Sequence, residues 1–184
     1  MKTNTIRVIA GKYKNRRLKF PSIDGLRPTS DQLKETIFNW LAPYIHCSTC
    51  IDAFAGSGSL GIESLSRGAD KAIFYELNFK AITQIKENLQ LLDISNYEIH
   101  KRDSIVSLTN ITLNNTDLII FLDPPFNKNL TNPCLQAIAG NKNIPSETIV
   151  YIETEKSAEL DLTNYEILKE KNTSTISAKL IAKI

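Results

Sequence analysis

From residue 49 onward the chain alternates short apolar runs with helix-period segments, and this alternation narrows the fold more than any other feature. "TCIDAF" (49–54) predicts a strand and "SLGIESLSRG" (59–68) a helix closed by Gly68. "KAIFYE" predicts a second strand, and "NFKAITQIKENLQLLD" a helix with a strong 3.6-residue period. "YEIHK", the short helix "DSIVSL", "DLIIFLD", the helical "NPCLQAIA" and "TIVYIE" continue the pattern. The last two runs, "YEILKEK" and "TISAKLIAKI", have no helix between them and predict a terminal antiparallel hairpin. Strand–helix alternation implies a parallel sheet with helices on both faces. In such sheets ligands bind beyond the carboxyl ends of the strands, where the strand order reverses. Four unusual polar features of this chain fall at those ends: a glycine loop after residue 52, Glu76, Asp103 and Asp123.

The chain of 184 residues, 42% hydrophobic and 23% charged, is long enough for one domain with a real core. No apolar run approaches the ~18 residues of a membrane span, and "MKTNTIRVIAG" lacks the apolar core of a secretory signal, so a cytoplasmic location is expected. Three cysteines argue against a disulfide framework. Cys47 and Cys50 form a C-x-x-C, but there is no second pair and no obvious fourth ligand beside His46, so no metal site is expected.

Charge is unevenly placed. Residues 1–34 carry nine basic side chains (Lys2, Arg7, Lys12, Lys14, Arg16, Arg17, Lys19, Arg27 and Lys34) against Asp24 and Asp31. That segment is +7 in a chain of net charge +2, and the remaining residues are −5. Strand-like runs at 6–10 and 16–20 surround "GKYKN" and predict a hairpin. A basic hairpin on a mildly acidic body suggests a polyanionic partner; a solvated hairpin with no partner is the alternative. After the loop "PSIDGLRP", Thr29, Ser30 and Asp31 are cap candidates for an amphipathic helix that stops near Pro43.

Gly56, Gly58 and Gly61 match G-x-G-x-x-G between a strand and a helix. Glycines permit a tight turn and close ligand approach, and the helix start offers free N–H groups. Glu76, 15 residues after Gly61, is placed to accept hydrogen bonds from ribose hydroxyls. Asp103 follows the third strand of the series, where it can reach an adenine amino group or simply cap a helix. Together these features predict a nucleoside cofactor without separating a dinucleotide from S-adenosylmethionine.

The run "FLDPPF" supplies the chemistry. A residue before proline is held extended, so Asp123 and Pro124 are both constrained and each proline fixes its own φ. The Asp123 carboxylate and the Pro124 carbonyl can then present two fixed acceptors, which is what an –NH2 group requires. A nucleobase amine is a weak nucleophile because its lone pair is delocalised into the ring. Accepting both amino hydrogens favours a tetrahedral nitrogen, and a carboxylate can take a proton as positive charge develops. Phe126 can stack on the flat base. A dehydrogenase has no use for this arrangement; in-line methyl transfer to an amine does.

"RPTSDQLKETIFNWL", "DAFAGSGSLGIESLSRGA", Glu76 and "FLDPPF", in this order over residues 6 to about 155, resemble the bacterial family that methylates the exocyclic N2 of a guanine in 16S ribosomal RNA. The glycine loop alone is shared by most class I methyltransferases; the first and last motifs are more specific. The resemblance implies an α/β, Rossmann-like, seven-stranded and mostly parallel sheet with a C-terminal antiparallel hairpin and an N-terminal β-hairpin extension. It divides the chain into a basic RNA-facing part, 1–28, and a methyltransferase domain, 29–184. It implies S-adenosylmethionine held by Asp52, Phe54, Gly56, Gly58, Glu76, Asp103, Thr29 and Asn39, with the helix carrying Phe38 and Asn39 over the cofactor. Asp123, Pro124 and Phe126 are implied at the target base, and Arg27, Pro28 and Thr29 beside it. Arg7, Lys12, Lys14, Arg16, Arg17 and Arg27 are the expected RNA contacts. The partner implied is 16S rRNA or the assembling small subunit, with guanosine 966 as target, and the enzyme is expected to act as a monomer away from membranes. The family often has a glycine turn between its last strands, whereas this chain has "KNTST". DNA adenine-N6 methylation uses a similar acid-Pro-Pro-aromatic turn, but this chain has little room for a region that reads duplex sequence. Protein glutamine-amide methylation is a further alternative, disfavoured because its motif has Asn where this chain has Asp123. A binding module without catalysis would not need Asp123.

Overall fold

The computed structural model describes residues 4–22, 29–113, 117–126 and 128–184. A two-stranded sheet, β1 (Asn4–Arg7) and β2 (Arg17–Phe20), precedes helix α1 (Asp31–Leu41). Then follow β3 (Thr49–Asp52), α2 (Ser59–Ser66), β4 (Lys71–Tyr75), α3 (Phe79–Leu91), β5 (Tyr97–His100) and α4 (Ser104–Asn110). The chain continues with β6 (Leu118–Leu122), α5 (Thr131–Gly140), β7 (Ile149–Glu155), β8 (Tyr165–Asn172) and β9 (Ile176–Lys183). The large sheet has seven strands in the order β5-β4-β3-β6-β7-β9-β8. Its first five strands are parallel, and β9 runs antiparallel to both β7 and β8. The order reverses between β3 and β6, which pair with Ile51 opposite Ile120.

Both faces of the central strands are covered, so they read as unbroken apolar runs rather than alternating ones. Ile119 and Phe121 face α1, packing with Ile37, Phe38 and Leu41. Ile120 and Leu122 face the other layer, with Leu108 of α4 and Leu135 and Ile138 of α5. Phe38 and Phe121 meet with ring centroids 5.9 Å apart. Gly61 lets α2 lie against β4, since a Cβ there would stand 2.2 Å from Phe74 Cε1.

The first strand of the N-terminal hairpin starts and stops earlier than its sequence predicts, at 4–7 instead of 6–10, and the second begins one residue later, at 17–20 instead of 16–20. Ile9 and Ala10 leave the ladder because their N–H groups donate to the two Glu63 oxygens, at 2.8 and 3.0 Å. Lys12 N–H donates to Ser66 O at 2.7 Å, and Tyr13 N–H to Ser66 Oγ at 3.0 Å. Ile6, Val8 and Leu18 share a core with Ile62, Leu65, Ile85 and Leu89. The hairpin is therefore seated on α2 and α3 rather than projecting as an arm. Gly11 (φ +82) permits this seat, because a Cβ would fall 1.8 Å from Ser66 O.

The "KNTST" turn closes without glycine. Ile176 N–H donates to the Thr173 hydroxyl at 2.9 Å, and Thr173 N–H to Ile176 O at 2.8 Å. Among the described residues no helix is long and apolar enough to cross a membrane.

Candidate active site

A cavity of about 900 Å³ opens across the carboxyl ends of the parallel strands, at the reversal of strand order. From the end of β3 and the loop after it come Asp52, Phe54 and Gly56; from the end of β4, Glu76; from the loop after β5, Asp103. From the end of β6 come Asp123, Pro124, Pro125 and Phe126, and Thr29 closes the side next to α1. The glycine-loop half and the Asp-Pro-Pro-Phe half thus line one space.

Local hydrogen bonds explain the shape of the first half. Gly56 (φ +50) donates its N–H to Glu76 Oε2 at 2.8 Å, so the loop after β3 is tied to the end of β4. Glu76 Oε1 accepts from the N–H groups of Leu77 and Asn78, at 2.8 and 2.7 Å. Asp52 Oδ2 accepts from Gly61 N–H at 3.0 Å, anchoring the first turn of α2. Asp103 caps α4 by accepting from Val106 N–H at 3.0 Å, and it also lines the cavity.

Two expected residues lie elsewhere. Asn39 is exposed on α1 and does not line the cavity; the beginning of that helix, Ser30 and Leu33, does. The helical period places Asn39 two residues past the inward-facing Ile37, on the solvent side. Gly58 also stays behind the wall. It holds a left-handed conformation (φ +74) at the N-cap of α2, where a Cβ would stand 3.0 Å from Ile85 Cγ1. Phe38 is fully buried between Phe121 and the Arg67 guanidinium, not against the cavity.

Acids dominate the electrostatics. Burial pushes Asp52 up to about 7, the Gly61 N–H opposes this, and the charge of Glu76 adds to it. Asp123 is held well above the usual carboxylate range by burial, then by the charges of Glu153 and Asp52, while a hydrogen bond from Thr29 opposes the shift. Glu153 is a site residue that the strand reading passed over; it sits in β7 beside Asp123 and lines the cavity. The same strand-end rule that marked Asp123 would have marked it in "TIVYIE".

Asp52 gives a pH test. In an unfolded chain it ionises near pH 4, but in the folded chain only near 7. The folded state therefore holds an extra proton between those values, and stability is lost as pH rises through the window. Asp52→Asn keeps an acceptor for Gly61 N–H without the charge. It should melt above wild type at pH 8 by roughly 1–4 kcal/mol, with the gap closing near pH 4. Thermal melts across pH that stay parallel would show that Asp52 is already ionised in the fold.

Of the expected RNA contacts, Arg7, Lys12, Lys14, Arg16 and Arg17 are all exposed on the hairpin. Arg7 pairs with Asp31 at 3.0 Å and Lys12 lies over the Tyr13 ring. Arg27 and Pro28 lie outside the described residues. Lys34, counted with the basic segment, is not a surface cation: it is 1% exposed and its Nζ donates to Arg7 O at 2.5 Å. Burial lowers its pKa.

Residues 6–182 match the family model described as Conserved hypothetical protein 95. The chain is 43% identical to Ribosomal RNA small subunit methyltransferase D of Haemophilus influenzae over 178 residues, 95% of this chain and 92% of that protein. The chain belongs to this family. It is also 34% identical to the Escherichia coli K12 protein of the same name, covering 95% of this chain and 88% of that one. Among solved structures of the family's likeness, yhhF from Escherichia coli superposes with a TM-score of 0.86 at 33% identity, with 98% of each chain covered. SMU.1697c from Streptococcus mutans, solved in complex with SAH, shares the fold at TM-score 0.63 and 16% identity, covering 86% of this chain and all of that one. The fold is the Rossmann-like class I methyltransferase fold, as family membership leads one to expect.

Proposed function

We propose that this chain transfers a methyl group from S-adenosylmethionine to the exocyclic N2 of a guanine in 16S rRNA. One observation carries the reading: the glycine-loop acids and the Asp123–Phe126 turn line the same cavity. The relatives named Ribosomal RNA small subunit methyltransferase D support the rRNA substrate; guanosine 966 as the target is part of the proposal.

The residues present suit the cofactor. Its ribose diol, amino groups and sulfonium are all donors or positive, and the cavity offers acceptors to match. Glu76 and Asp103 would take the ribose and adenine ends, and Asp52 with the Gly56 loop the amino-acid end. When bound, the cofactor supplies an electrophilic methyl group. The chain's own part is positioning and proton handling. Asp123 and the Pro124 carbonyl accept the two amino hydrogens of the base, and Asp123 takes a proton as the amine becomes cationic. Phe126, 36% exposed at the rim, stacks on the base after it leaves its helix. Residues 1–28 would act as the RNA-facing part and 29–184 as the catalytic part.

Nucleosides from a strain lacking the gene decide the target. Loss of N2-methylguanosine from 16S RNA is expected; loss of N6-methyladenine from DNA would overturn the reading. The hairpin is tested separately by RNA binding across a salt series. Replacing Lys14, Arg16 and Arg17 with Ala should weaken binding and flatten the log–log slope by roughly two units if all three touch phosphate. Cofactor affinity should stay unchanged, because these residues lie outside the cavity. Superimposable salt lines would leave the hairpin as a solvated surface only.

A further inference from the structure

We propose that Glu153 is the residue that makes the site select guanine: its carboxylate accepts the N1–H beside the N2 amino group that Asp123 holds. The proposal rests on the guanine-N2 reading and extends it to base specificity. Strands β6 and β7 are parallel neighbours with Leu122 opposite Ile152. The next residue on each is an acid, so Asp123 and Glu153 stand side by side at one strand end, and both line the cavity. Glu153 is only 5% exposed, and the Tyr151 hydroxyl donates to its Oε2 at 2.9 Å, which restricts the carboxylate's orientation.

The Watson–Crick edges of the bases show which donor fits. In guanine the N2 amino group has N1–H as its neighbour, two adjacent donors on one edge. In adenine and cytosine the ring nitrogen next to the amino group is an acceptor instead. Two adjacent carboxylates complement the first edge and set a negative charge against a lone pair in the second. A site built to accept a particular N–H rejects the analogue that lacks it much more strongly than an apolar pocket rejects a change of size. Asp123 alone would bind any amino group. The second acid supplies the distinction between guanine and adenine that the Asp-Pro-Pro-Phe turn does not make.

The test uses RNA in which the target guanine is replaced by 2-aminopurine, which keeps the 2-amino group but has an unprotonated N1. Wild type should favour guanine by at least about 100-fold in kcat/KM. Glu153→Gln has an amide that can turn its N–H toward an N1 lone pair or its oxygen toward N1–H. It should narrow the preference to about tenfold or less, with cofactor affinity kept. Melting temperature is measured alongside. Should the variant not fold, the wild-type comparison decides, and equal turnover of the two bases overturns the proposal. An unchanged preference in folded Glu153→Gln also overturns it. The methylated nucleoside separates this from the parent reading: N2-methylguanosine with an unchanged preference removes only the role of Glu153, whereas methylation at adenine N6 removes both.

Discussion

Asp123→Ala should bind the cofactor nearly as wild type does and turn over about 10²–10⁴-fold more slowly, the usual range for a lost acid–base group. The separation of effects follows from the geometry. The glycine-loop half is held by Gly56 N–H to Glu76 and Gly61 N–H to Asp52, and Asp123 takes no part in either bond. The fold should tolerate the change, since removing one of three neighbouring acids relieves repulsion from Glu153 and Asp52. The remaining catalysis would come from positioning by Pro124 and Phe126. A pH profile adds a second signature. Asp123 is raised above the ordinary carboxylate range, and only its ionised form can accept the amine proton, so the wild-type rate should climb as pH rises through that raised value. Single-turnover rates and calorimetric cofactor affinity, measured on both proteins across pH, check both statements. Wild-type turnover in Asp123→Ala would make the turn a structural feature.

Gly58→Asp should abolish cofactor binding, but through the backbone rather than by filling the cavity. Gly58 does not line the cavity; it is buried at the N-cap of α2 with φ +74. An added Cβ would meet Ile85 Cγ1 at 3.0 Å, Ile85 Cγ2 at 3.3 Å and Ile62 Cδ1 at 3.4 Å. The carboxylate would then enter an apolar cluster that also contains Leu65 and Leu89. An uncompensated buried charge costs about 3–5 kcal/mol, which in a chain of this size lowers Tm by roughly 6–20 °C. Relief comes only by moving the loop, and the loop carries Gly56 with its bond to Glu76. Thermal melts and calorimetry together check this. Wild-type melting with wild-type affinity would show that the turn accepts any residue.

The alternation of strands and helices was legible because fully buried parallel strands must be apolar throughout, as in "DLIIFLD", and the helices between them show one apolar face. Glycine at 56, acids at 76 and 103 and the Asp-Pro-Pro-Phe turn were legible because polar residues at strand ends stand out from such runs. Asn39 misled because membership of a helix near the cavity says nothing of which face turns inward. Glu153 was passed over although it ends "TIVYIE" much as Asp123 ends "DLIIFLD", because no proline or glycine follows it to mark a turn and the strand runs on to Glu155.

The order of elements, the parallel core and the strand ends at which chemistry is possible all follow from local periodicity and backbone restriction, and so are written along the chain. Which strand ends become neighbours is settled by long-range packing. Pairing of β3 with β6 joins the glycine-loop half of the cavity to the Asp-Pro-Pro-Phe half, and pairing of β6 with β7 sets Glu153 beside Asp123. The structure likewise turned the basic N-terminus into a seated hairpin, because the buried Glu63 and Lys34, 29 residues apart in sequence, both hydrogen-bond backbone groups of residues 7–10, Glu63 in addition to its ion pair with Arg67. Long-range pairings of this kind depend on which surfaces bury one another, and no local pattern of residues encodes that choice.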